Sequence, residues 1–211
     1  MNKAAPARRP APGQVRIIGG SLRGSKLPVA DMPGLRPSGD RARETLFNWL
    51  QGQVEGKRVL DVFAGSGALG FEAASRGAAH VMLVERDPML AQSLRDSAKR
   101  LKVEAITVEC ADALSWLGRP RSAPFDLAFL DPPFHAGLWN DTAAALAPWL
   151  VDRAWVYVEL ARSADFHAPA GWVLHRESET REVRHRLYRA ERPAAADTLG
   201  GRSPGAGIDQ A

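Results

Sequence analysis

The stretch KRVLDVFAGSGALGFEAASRG, Lys57–Gly77, sets how the rest of the chain is read. KRVLDVFA has the apolar run of a buried strand, and ALGFEAASRG reads as a helix. Between and within them, Gly65, Gly67 and Gly70 stand in G-x-G-x-x-G spacing. Glycines there let the backbone turn tightly and approach a ligand, with the N-terminus of the next helix beside it. Asp61, four residues before Gly65, ends the strand beneath that loop. Alone, the pattern belongs to many nucleotide-binding folds.

Working outward, strands and helices alternate. HVMLVERD is a strand, PMLAQSLRDSAKRL a helix with Pro88 in its first turn, EAITVECAD a strand and ALSWLG a short helix. FDLAFLD is a strand, LWNDTAAALAPWL a helix and RAWVYVEL a strand, and WVLHRESETREVRHRLYRA closes as two strands around a turn at 178–181. Seven strands alternating with helices predict an α/β fold, a mainly parallel sheet covered on both faces. Such sheets bind ligands at the carboxyl ends of their strands, near the topological switch point. Glu85 ends the second of these strands, 20 residues after Gly65, where a carboxylate can accept both hydroxyls of a ribose. Asp112 follows the third and is placed to accept from an adenine amino group.

Before this block, VRIIGG (15–20) and SKLPV (25–29) read as a strand pair around SLRG. GLRPSGDRARETLFNWL then starts a helix, with Ser38 as its cap and Asp40 at the positive end of the dipole. Ala42, Leu46, Trp49 and Leu50 share a helical face, expected to be core, with Arg41 and Arg43 off it. The expected organisation is a tail over 1–13, a basic extension over 14–56, a catalytic domain over 57–191 and a second tail over 192–211. Both tails are rich in Ala, Pro and Gly and are read as disordered.

The 211 residues are 45% hydrophobic, enough for one full-sized core. No apolar run is long enough to span a membrane, and the N-terminus lacks the apolar stretch of a secretory signal. The lone cysteine, Cys110, excludes an intramolecular disulfide framework and a multi-cysteine zinc site. A cytoplasmic monomer without a metal is the expectation. The net charge of +4 is uneven: residues 1–58 hold 11 Lys/Arg against 4 Asp/Glu, and residues 59–180 hold 11 against 16. A basic end on an acidic body suggests a polyanion docking there, with Arg36, Arg41 and Arg43 as candidate phosphate contacts.

The strand-end acids admit two cofactors. A dinucleotide also uses a glycine loop and an acid about 20 residues on. S-adenosylmethionine carries no phosphate, and Asp61 at the loop would suit its ammonium and repel a pyrophosphate. The fourth strand of the block favours the latter. Asp131-Pro132-Pro133-Phe134 matches the D/N-P-P-F/Y motif of methyltransferases that act on exocyclic amino groups of bases. Such an amine is a poor nucleophile, its lone pair delocalised into the ring. The Asp131 carboxylate and the Pro132 carbonyl can each accept one N–H, while Pro132 and Pro133 hold that carbonyl in place. Phe134 offers a face on which the base can stack.

In these segments the chain resembles the bacterial small-subunit rRNA methyltransferase D family (RsmD). VRIIGGSLRGSKLPV, GLRPSGDRARETLFNWL, VLDVFAGSGALGFEAASRGA, VERD and FLDPPF carry the resemblance over most of 15–135; RAWVYVEL and RLYR extend it weakly to about 190. It implies a Rossmann-like class I methyltransferase fold with an antiparallel last strand, acting on N2 of one guanine in 16S rRNA. The substrate would be met within a 30S subunit or an assembly intermediate. It further implies that the cofactor meets Gly65, Ser66 and Gly67, with Glu85 at the ribose and Asp112 at the adenine. Asp131 to Phe134 would hold the guanine, with the N-terminal segment beside its pocket. The alternatives are an adenine-N6 methyltransferase, an NAD-binding protein and a noncatalytic RNA-binding factor.

Overall fold

A computed structural model of the chain describes residues 13–29, 39–120 and 123–191. The tails 1–12 and 192–211, the expected cap Ser38 and the candidate Arg36 lie outside the described residues.

A two-stranded antiparallel hairpin, β1 (Gly13–Arg16) and β2 (Lys26–Val29), opens the chain. Its inward residues Val15, Leu27 and Val29 are buried and its outward ones exposed, the period of two expected of a half-buried ribbon. Helix α1 (Asp40–Trp49) follows, with Gly39 at its N-cap.

The main sheet has seven strands in the order β5-β4-β3-β6-β7-β9-β8. These are β3 (Arg58–Asp61), β4 (His80–Glu85), β5 (Ile106–Cys110), β6 (Phe125–Leu130), β7 (Leu150–Ala161), β8 (Trp172–Glu179) and β9 (Val183–Ala190). The first five are parallel, and β9 inserts antiparallel between β7 and β8. From β3 the chain steps outward through β4 and β5, then returns to place β6 on the other side of β3. The switch point therefore lies between the carboxyl ends of β3 and β6.

Alternation along β3 divides the core. Val59 faces one side with Leu46, Phe47, Phe71, Leu83, Leu94 and Phe129. Leu60 faces the other with Trp116, Trp139, Leu146 and Trp149. The first side is covered by α1, α2 (Ala68–Ser75) and α3 (Pro88–Leu101). The second is covered by α4 (Ala113–Leu117) and α5 (Trp139–Leu146). Asp87 caps α3, accepting from Met89 and Leu90 N–H, and Pro88 starts the helix as expected.

Two boundaries and one helix face differ from the sequence reading. The helix expected over 138–150 ends at Leu146 and tightens into a 3-10 turn at Ala147–Trp149, because Pro148 supplies no N–H. The following strand then begins at Leu150. On α1 and at its C-cap, Leu46 and Leu50 are buried as expected, Ala42 and Trp49 are only half-buried, and the buried face extends to Arg43 and Phe47. Ile17, Leu27, Leu46, Phe47 and Leu50 share a core with Val59, Phe71 and Leu83, so the hairpin and α1 are built onto the sheet's own hydrophobic layer.

Candidate active site

The glycine loop joins β3 to α2 at the switch point. Gly67 is the N-cap of α2 with φ +78°, a left-handed conformation that disfavours a side chain. A Cβ there would also lie 2.5 Å from Leu94 Cδ2. Gly70 has an ordinary helical backbone but is pressed onto β4, where a Cβ would meet Leu83 Cδ2 at 2.2 Å. The first of these two glycines shapes the turn, and the second lets the helix approach the sheet.

Asp61 lies beneath this loop at 2% exposure, its carboxylate accepting from Gly70 N–H at 3.1 Å. Burial is the main reason its pKa is raised to about 7; the Gly70 and Phe63 N–H groups pull it down, and the Glu85 charge pushes it up. Asp61 thus holds α2 to β3 from below. The Glu85 carboxylate accepts from Gly65 N–H and from Asp87 N–H, each at 2.8 Å. It ties the glycine loop to the start of α3 and lies half-buried at the end of β4. Ser66 sits in the same loop, half-buried. Asp112 is exposed and caps α4, accepting from Ser115 N–H at 3.0 Å. The structure brings Asp61, Glu85 and the three glycines into one loop assembly; Asp112 stands at the carboxyl end of β5, two strands out from β3.

Across the switch point, Asp131 follows the last residue of β6 and is half-buried. Pro132 is buried and Pro133 exposed, and the Pro133 carbonyl accepts from Ala136 N–H to close a 3-10 turn. That turn presents Phe134 at 42% exposure, a large value for a phenylalanine. Trp139 lies behind it with ring centroids 6.0 Å apart, and its indole N–H is fixed on the Glu159 carbonyl at 2.8 Å. Phe134 is therefore an aromatic face with a rigid backing.

The candidate phosphate contacts separate. Arg41 is exposed on α1. Arg43 is 1% exposed, bonded to Asp40 Oδ1 at 2.6 Å and the Arg16 carbonyl at 2.8 Å, with its guanidinium 3.6 Å from the Glu72 carboxylate. The expectation of Arg43 on the RNA-facing surface is corrected: its cation is used inside the fold. Arg16, Arg23 and Lys26 on the hairpin are exposed, and an open cleft between hairpin and α1 is lined by Gln14, Arg16, Lys26 and Asp40.

Two clusters escaped the sequence reading. Glu72, fully buried on α2, accepts from Ile18 N–H, Gly19 N–H and Arg76 Nε at 2.8, 2.8 and 2.9 Å. The second is Tyr157, Glu159 and His185, buried on β7 and β9. The Tyr157 hydroxyl lies 3.2 Å from Glu159 Oε2 and 2.8 Å from His185 Nδ1. The available signal was a lone acid inside an apolar segment, ALGFEAAS for Glu72 and VYVEL for Glu159.

A parallel sheet with this strand order, a glycine loop braced by acids at the switch point and an Asp-Pro-Pro-Phe turn beside it define a class I S-adenosylmethionine-dependent methyltransferase. The family described as "Conserved hypothetical protein 95" matches residues 15–189. "Ribosomal RNA small subunit methyltransferase D" of Escherichia coli (strain K12) is 46% identical over 188 residues, 88% of this chain and 94% of that protein. The protein of that name from Haemophilus influenzae is 44% identical over 183 residues, covering 84% and 95%. A solved "Putative methyltransferase yhhF from Escherichia coli" superposes with a TM-score of 0.78 at 46% identity, over 85% of this chain and 99% of that one. This chain belongs to the ribosomal RNA small subunit methyltransferase D family.

Proposed function

We propose that this protein methylates the exocyclic N2 amine of one guanine in 16S rRNA. The observation that carries this reading is the Asp131–Phe134 turn, an acid and an exposed aromatic face beside the glycine loop, in a chain whose relatives are named for small-subunit rRNA.

The loop suits S-adenosylmethionine by the chemistry of its donors. Its acids Asp61 and Glu85 accept hydrogen bonds, and its closely packed glycines keep side chains out of the turn. When bound, that cofactor supplies a methyl group already activated by a positive sulfur. Gly65, Ser66 and Gly67 would line its amino-acid end. Glu85 uses each carboxylate oxygen once on backbone and retains lone pairs for the ribose hydroxyls. Asp112 retains acceptor capacity beyond its cap for the adenine amine. Asp61 acts from beneath: a cation above the loop draws its carboxyl into the charged form.

The remaining steps belong to the protein. Phe134, backed by Trp139, stacks the guanine. Asp131 and the Pro132 carbonyl each accept an N–H of the amine, drawing its lone pair out of the ring and toward the methyl. Preorganised acceptors require little rearrangement at the transition state, and orientation supplies much of the acceleration. Asp131 then takes the proton that the methylated nitrogen gives up. Arg36 and Arg41, with the exposed hairpin cations, hold phosphates.

The test is Asp131→Ala. Turnover on 30S subunits should fall at least a hundredfold, as expected on losing a positioned acid–base group, with S-adenosylmethionine affinity unchanged. Near-normal turnover contradicts the role.

A further inference from the structure

The last paired residues of β6 and β7 are Leu130 and Val158. The next residue after each is a carboxylate, Asp131 just past the end of β6 and Glu159 within β7. Parallel neighbours in register point to the same face and lie about 4.8 Å apart at the backbone. Phe129 and Tyr157, two residues earlier, do meet on one face, with ring centroids 6.4 Å apart. The Asp131 charge also reaches the Tyr157 hydroxyl, where it adds to burial and to Glu159 in raising the phenol well above its ordinary pKa.

Glu159 is 7% exposed and fixed from three directions. Tyr157 donates its hydroxyl to Oε2, His185 Nδ1 lies 3.7 Å from the same oxygen, and Trp139 binds the Glu159 carbonyl. Burial lowers the His185 pKa against the opposing pull of Glu159, which favours the neutral ring. The charged and titratable groups at this corner include Asp131 after β6, Tyr157 and Glu159 from β7 and His185 from β9, and Asp131 and Glu159 each engage a further group. Helix α1 contributes the apolar Phe47 against Phe129.

We propose that Glu159, held by Tyr157, His185 and Trp139, is a positioning residue for methyl transfer, acting through Asp131. This rests on the amine-holding role of Asp131. As the donor's carbon–sulfur bond breaks and the carbon–nitrogen bond forms, the nitrogen becomes cationic. It regains neutrality by passing one N–H proton to Asp131. A second negative charge beside Asp131 makes it a stronger proton acceptor and favours the cationic nitrogen forming next to it. The Trp139 bond couples the same residue to the Phe134 platform, so base face and charge pair share one support.

The test measures single-turnover methyl transfer to 30S subunits against pH, alongside cofactor and subunit affinities. Glu159→Gln should slow transfer about tenfold near pH 7, move the acid limb of the rate to lower pH and leave both affinities unchanged. Glu159→Asp, which restores the charge, should return the limb toward its original position. If Glu159→Gln keeps rate and limb while Asp131→Asn is inactive, the positioning role is wrong and the reading of Asp131 stands. If Asp131→Asn transfers at the wild-type rate, both fall. Should Glu159→Gln fail to fold, Tyr157→Phe decides, since it keeps the ring and removes only the hydroxyl that bonds Glu159 and His185. A several-fold slower rate with cofactor affinity intact supports the proposal, and an unchanged rate overturns it.

Discussion

Asp61 shows how a single residue carries both a structural and an electrostatic burden. Its carboxyl titrates near 7 in the fold against an ordinary value of 3.8, chiefly because it is buried. The folded state therefore binds the proton more tightly than the unfolded chain. Stability contributed by that proton is full below about pH 4 and is lost as pH rises toward 7. Asp61→Asn removes this dependence: urea unfolding should show the variant gaining on the wild type between about pH 4 and pH 7, and a constant difference would contradict the buried titration. The strand-end positions of Asp61, Glu85 and Asp131 were legible in the sequence, because a strand running into glycines or prolines marks its own end. The partners of Asp61 and Glu85 were not. Nothing in the spacing says that Glu85 accepts from Gly65 and Asp87, or that Asp61 is sealed below Gly70.

At the scale of elements, α2 is the organising piece. Its N-terminus forms the glycine loop, Gly70 seats it on β4, and Glu72 anchors the hairpin through Ile18 and Gly19. Gly70→Ala forces a methyl against Leu83 and should cost about 1–3 kcal/mol in chemical denaturation. Glu72→Gln removes the buried carboxylate beside Arg43 and Arg76, though Arg43 keeps Asp40, and should cost about 1–3 kcal/mol. A loss within a few tenths of a kcal/mol would mean that the clamp is not holding hairpin, α1 and α2 together. The sequence placed the hairpin, α1 and the alternating block because local periodicity and turn residues suffice for them. Arg43 was misplaced for a physical reason. An arginine is expected outside unless a carboxylate distant in sequence waits inside, and Glu72 lies 29 positions away. The same distance problem hid Glu159, whose meaning depends on β9 folding back to bring His185 against it.

Across the whole molecule, a basic hairpin and a charge-balanced α1 stand beside an acidic body, and the exposed cations Arg16, Arg23, Lys26 and Arg41 lie on the N-terminal units. Arg41→Gln should weaken binding to 30S subunits and reduce the slope of log affinity against log salt by about 1, as expected for one lost phosphate contact. Arg43→Gln should act on stability instead, since its charge is buried. The most direct measurement offers labelled S-adenosylmethionine with 30S subunits, naked 16S rRNA and DNA, then maps the modified base. Label on N2 of one guanine of 16S rRNA, and none on DNA, is the predicted result; label on adenine N6, or on DNA alone, would contradict the account.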